Sequence, residues 1–372
     1  MSMGMDQKSF ETEVSNILGH SFTLKEEAQR KEKEEEIETI AMVEQDGLAL
    51  IFVKDKTPKI CIAAVTQNGL ALRYVEEEYR TEEICLAAVS QNGDALRWVK
   101  HQTKNICLAA VSLNYGALQY VKDQTFDICL FAIQWDCRAL KWVRDQTDAI
   151  CLAAVEQRGR ALQWVREQTL KICLAAIKND GFALQWVENQ TEPICIAAAQ
   201  RSGYTLRHVK VQTLKICIAA VTQDGMALQF VGDKTEQICM AAVTQNGYAL
   251  RYVDNQHPKI CMAAAVQDGH ALQYVKDQTP RICLTAVKQN SHALQYVRIQ
   301  TPELCMISVK QNGHALRFVE NQMEAICMTA VQEDGEALGL VHHQTPEICI
   351  VAIKQDPDAV KHIKLDNYYI EE

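Results

Sequence analysis

The sequence predicts an all-α protein, an α-solenoid of about fifteen 22-residue helix-turn-helix units. Three observations carry this. Fourteen of the fifteen cysteines fall on one period, with Cys85 to Cys349 making twelve steps of 22 and Cys61 to Cys85 a step of 24. Each unit reads approximately T-P-E-I-C-L-A-A-V-x-Q-N-G-x-A-L-Q-Y-V-x-D-Q, and a fixed short period is the mark of an array whose units bury apolar faces only against their neighbours. The Ala-Ala pair in most of the apolar runs suits a helix and not a strand.

Residues 1–37 do not match the repeat. Leu24 to Ile37, rich in Glu, Lys and Arg, reads as a charged helical extension or cap leading into the array of residues 38–363. The first unit has Thr39 in the cysteine place and Gly47 in the glycine place. In later units a threonine such as Thr103, Thr279 or Thr345 is a good N-cap, and Pro280, Pro302 and Pro346 follow at the position where a missing N–H costs a helix nothing. A first helix therefore starts there. It is expected to end at pairs such as Asn68-Gly69 and Asn246-Gly247, with the glycine as a left-handed cap. Because its run is apolar on nearly every side, it is expected to be sandwiched between units. A second short helix carries Ala, Leu, an aromatic residue and Val, with Leu and Val three apart on one face. Pro357, Val360 and His362 mark a degenerate last unit, followed by a tail at 364–372.

Composition narrows the function classes. The 372 residues carry 47 acidic and 38 basic side chains, a net charge of −9, which argues against a general polyanion binder. No apolar run reaches the roughly 18 residues of a membrane span, and Asp6, Lys8, Glu11 and Glu13 interrupt any signal-peptide core. The cysteines are read as reduced thiols in a cytoplasmic setting, the nucleus being the alternative. Equivalent cysteines lie about one repeat apart, roughly 9–10 Å, too far for a disulfide or shared metal ligation, so they are read as packing residues and no cofactor or metal is expected. Cys137, in the glycine place, is expected to be the solvent-reachable thiol. His270, His292 and His314 are read as surface histidines.

This unit resembles a tandem repeat family known as a domain of unknown function, whose copies read much like Ile84 to Val99. The resemblance runs from about residue 38 to 363 and rests on the recurring L-A-A-V-x-Q-N-G-x-A-L. It implies a helical interaction module of a kind common in giant viruses, bacteria and protists, and it supplies no catalytic residue.

Two rows of glutamine, such as Gln102 and Gln124 beside the N-cap and Gln67 and Gln91 near the end of the first helix, suggest register. An aromatic ladder that includes Tyr74, Trp98 and Trp142 reads as packing. The residue before each aromatic is cationic in seven of fifteen units and never acidic, and Arg73, Arg97, Lys141, Arg207, Arg251 and Arg317 belong to this row. It offers a nucleic-acid face.

Function in a solenoid is written where units depart from consensus. Two adjacent units replace Gln-Asn-Gly with Leu113-Asn114-Tyr115 and Trp135-Asp136-Cys137. Stacking is expected to set Leu113, Tyr115 and Trp135 beside Arg138, Arg158, Arg160, Phe182, Arg201 and Tyr204, a hot-spot composition. No P-loop, nucleophile elbow or His-Glu-x-x-His occurs. The expectation is a non-enzymatic scaffold that binds a protein partner, with RNA or other nucleic acid as the alternative and no membrane partner.

Overall fold

The computed structural model describes residue 27 and residues 29–364. Expectations placed on Asp6 to Glu13, on Leu24 and on the tail beyond 364 fall outside the described residues. The chain divides into two compact parts, Met1–Glu167 and Gln168–Glu372. Both are all-α stacks of the same repeat, and no strand occurs among the described residues.

In the N-terminal part, a helix over 29–45 runs without a break from the charged extension into the first repeat. Five ten-residue helices follow: Pro58–Gln67, Glu82–Gln91, Lys104–Leu113, Phe126–Trp135 and Asp148–Gln157. Among its described residues the C-terminal part holds nine more, from Leu170–Asn179 to Pro346–Gln355. Most start on a threonine, as Thr57 Oγ1 accepts from Ile60 N, with proline next at Pro58 and Pro280. Each helix packs on the next within its part, and four places are buried in every ten-residue helix but the last, as Ile84, Cys85, Ala88 and Val89 show. The sandwich expected of this helix is therefore only half formed. Leu86 and Ala87, and their counterparts in other repeats, stay half-exposed on the outward side.

The second element of every repeat is a six-residue 3₁₀ helix, such as Gly69–Tyr74, and not an α-helix. At three residues per turn, places three apart eclipse on one side. Gly69, Leu72 and Val75 occupy that side and are buried. The 24-residue repeat accommodates its two extra residues in one further 3₁₀ turn, Glu77–Tyr79.

The glycine is not a left-handed cap, since none of the described glycines has a positive φ. Asn68 is extended (φ −143°) and serves both elements. Its amide N–H bonds Ala64 O to close the α-helix, and its Oδ1 accepts from Leu70 N to open the 3₁₀ helix. Glycine is needed because the next repeat comes too close: a Cβ at Gly69 would lie 2.2 Å from Ala88 O.

Two glutamine rows hold the register. Gln124 Nε2 donates to Leu118 O (2.8 Å) in its own repeat and to Trp142 O (3.0 Å) in the next, while its Oε1 accepts from Arg144 N (2.9 Å). Arg80 takes the same place in the 24-residue repeat and donates to Val75 O and Trp98 O. In the other row, Gly69 N donates to Gln91 Oε1 (2.6 Å) and Gly247 N to Gln267 Oε1 (2.6 Å). This seal needs both partners. Where Cys137 and Ser291 replace the glycine, Gln157 and Gln311 turn instead to the carbonyls of Gln134 and Lys288.

All fifteen thiols are free and buried. Cys137 is only 3% exposed, which corrects its reading as solvent-reachable. The glycine place of this repeat points into the stack, and the next repeat encloses the small Cys137 side chain there, as it does Ser291 in a later repeat. Burial pushes the Cys129 and Cys151 thiols up to about 11.

Candidate interaction surface

The departures from consensus gather at the ends of three successive α-helices in the N-terminal part. Leu113 and Trp135 close helices Lys104–Leu113 and Phe126–Trp135, at the place where most repeats carry the sealing glutamine. They are 57% and 65% exposed. With Leu113 there, the Gly93 amide does not have that acceptor. Arg158 stands where most repeats have Asn or Asp as the 3₁₀ cap, and like Ser202 in the C-terminal part it makes no side-chain cap bond. A lost cap of this kind costs about 1 kcal/mol. These three residues break local rules without a visible structural return, and such places are where function is expected.

Beside them the chain builds an aromatic and cationic cluster. Tyr115 is half-buried, and the Arg138 guanidinium lies 4.6 Å above its ring. Arg138 is held there by Asp136, which accepts from Nε (2.9 Å) and Nη2 (2.6 Å). The same contact holds the Asp136 carboxyl below its ordinary range. Arg160 is exposed on the following 3₁₀ helix.

Three members of this surface escape a reading of the loops alone. Phe126 is 49% exposed, and Leu130 and Phe131 are half-exposed on the same helix as Trp135. Phe126 and Leu130 are four apart, as are Phe131 and Trp135, so apolar side chains run the length of the outward side of this helix, with Asp127 and Gln134 exposed beside them. The signal lies in Phe131, which occupies the second outward place where most repeats have alanine.

Phe182, Arg201 and Tyr204 belong to the C-terminal part. Phe182 meets His208 edge-on at 6.1 Å, with the Arg207 guanidinium 5.3 Å above its ring. Tyr204 packs edge-on against Phe230 at 5.5 Å. Arg201 is exposed at the end of helix Glu192–Arg201. His270 and His292 fill the place of Tyr204 in their own repeats and meet Tyr296 and Phe318 at 6.0 and 5.5 Å, while His314 pairs with Asp334 at 2.7 Å. These histidines are members of a packing ladder.

The cationic row lies over the aromatic ladder. Arg73 sits 4.3 Å above the Tyr74 ring, and Arg97 sits 5.2 Å from Trp98 and 4.5 Å from Tyr120, whose hydroxyl it also bonds. Lys141 lies 5.1 Å from Trp142 and Arg251 5.0 Å from Tyr252. Arg317 is exposed beside half-buried Phe318. Long stems thus shield rings that a bound base would need.

The fold and this surface define a tandem helical-repeat protein. Residues 57–102, 213–256 and 280–324 match the family model described as a domain of unknown function (DUF4116), each match covering about two of the 22-residue repeats. These three stretches are similar to that domain. No curated protein and no solved structure matches the chain.

Proposed function

We propose that the chain is a non-enzymatic scaffold that binds protein, with the edge formed by Leu113, Tyr115, Trp135, Arg138, Arg158 and Arg160 as a docking point. One observation carries the reading. Leu113 and Arg158 give up hydrogen bonds that seal or cap the stack elsewhere, and together with Trp135 they leave an exposed apolar surface flanked by arginines. Exposed aromatics beside arginine are what buried interface cores are made from. Phe126, Leu130 and Phe131 enlarge the surface to the size of an anchor site. The buried free thiols fit a reducing, cytoplasmic setting.

A nucleic-acid reading of Arg73, Arg97, Lys141, Arg207, Arg251 and Arg317 is less well supported, because the faces of several neighbouring rings already carry these cations. Affinity purification from the native host, with and without nuclease, separates the two. A protein captured equally in both, retained from about 50 to 200 mM salt and lost on Trp135→Ala, supports the scaffold. Capture that disappears with nuclease or falls steeply with salt overturns it.

A further inference from the structure

A second surface lies in the C-terminal part, on the outward side of the α-helices and away from their ends. The residue after each repeated cysteine is apolar and half-exposed. Over five consecutive repeats it is Met240, Met262, Leu284, Met306 and Met328. Methionine is uncommon in this chain, with ten in all, so four at one repeated place form a concentration. Flexible, polarizable methionine side chains on a surface accommodate apolar partners of varied shape.

The row has depth as well as apolar character. Between helices Pro280–Gln289 and Pro302–Gln311 a cavity of about 770 Å³ is walled by Pro280, Leu284, Leu304 and Ile307 and rimmed by Ile299. Ile299 stands where most repeats place Asp or Asn, and it is 82% exposed. Ile307 stands where most repeats place alanine.

Charge tells what this surface fits. The three helices Pro258–Gln267, Pro280–Gln289 and Pro302–Gln311 carry Lys259, Arg281, Lys288 and Lys310 against a single acid, Glu303. All four cations are exposed, and none makes an ion pair among the described residues. In a protein of net charge −9 this is a local excess of three positive charges. Lys259 and Arg281 flank the row near the helix starts, and Lys288 and Lys310 flank it near the ends.

We infer that this face binds an acidic amphipathic helical segment of a partner protein. The segment sets apolar side chains on Met262, Leu284, Met306 and Ile307 and carboxylates toward the flanking lysines and Arg281. Repeats packed about 8–10 Å apart match an α-helix laid along the row, whose side chains seven residues apart are separated by about 10.5 Å. The inference rests on its own residues and does not depend on the Trp135 edge.

The test uses the full chain with methionine methyl groups labelled for NMR. Three probes are added in turn: a synthetic amphipathic helical peptide with leucine on one side and glutamate on the other, its lysine-for-glutamate counterpart, and single-stranded RNA. The acidic peptide is expected to shift the Met262 and Met306 methyl signals. It should bind at least about tenfold more tightly than the basic one, and lose about tenfold in affinity with Lys259→Glu and Lys288→Glu combined. Trp135→Ala is expected to leave this binding unchanged. Methyl signals that do not move, equal binding of the two peptides, or RNA that moves the same methyls would each overturn the inference.

Discussion

Replacing Gln124 by leucine tests the register mechanism directly. Leucine has nearly the same bulk, so packing changes little and the loss falls on hydrogen bonds. Three disappear at once: those to Leu118 O at 2.8 Å and Trp142 O at 3.0 Å, and the one from Arg144 N at 2.9 Å. At about 1 kcal/mol net each, with the freed groups only partly reaching water, the substitution costs about 2–4 kcal/mol. Gln124→Arg provides the contrast. An arginine in this place keeps both donors, as Arg80 does with Val75 O and Trp98 O, and loses only the acceptor, so its cost is about 1 kcal/mol. In a repeat array the damage is local, and residue-resolved hydrogen exchange is the sensitive assay. The Arg144 amide should lose most of its protection in Gln124→Leu. A change below about 0.5 kcal/mol, or an Arg144 amide that exchanges as slowly as in the parent, would refute the clip.

Two further outcomes follow from the packing. Gly69→Ala forces a Cβ to 2.2 Å from Ala88 O and should cost about 2–3 kcal/mol in urea unfolding, whereas Gly116→Ala meets only the Asn114 side chain and should cost about 1 kcal/mol or less. The thiols give a pH signature. Cys129 and Cys151 keep their protons up to about 11 in the folded chain, while an unfolded thiol releases its proton near the usual 9.0. Above about pH 9 the unfolded state binds fewer protons, so stability should fall as pH rises from there toward 11 and be insensitive to these groups below it. Stability flat across that window would contradict their burial. A thiol reagent at pH 8 should leave the native protein unlabelled, Cys137 included.

The repeat, its length and its caps were legible because each rests on local chemistry: threonine before proline, apolar places at fixed spacing, a glycine in register. The 3₁₀ geometry was present in the three-residue step from Leu72 to Val75, but that step also fits an α-helix. What decides it is the six-residue stretch between Asn68 and Val75, which closes at both ends through i to i+3 bonds, from Ala71 N to Asn68 O and from Val75 N to Leu72 O. The role of glycine was not legible, because its reason lies in Ala88 of the next repeat and not in its own φ. Cys137 failed for the same reason, a place being judged by its own loop and not by the neighbour that covers it. At the interaction surface, Leu113, Trp135 and Arg158 stood out as broken rules, while Phe126 and Phe131 stayed hidden inside a run that is apolar in every repeat.

The central claim is that the departures at this edge serve a partner and not the stack. Reverting Leu113→Gln, Trp135→Gln and Arg158→Asn together tests it most directly. Leu113→Gln restores an acceptor for the Gly93 amide and Arg158→Asn a cap, so the reverted protein should gain about 1–2 kcal/mol of stability. In the same protein, partner capture should be lost. A protein that is stabilised and still captures the same partner in the same amount would contradict the account.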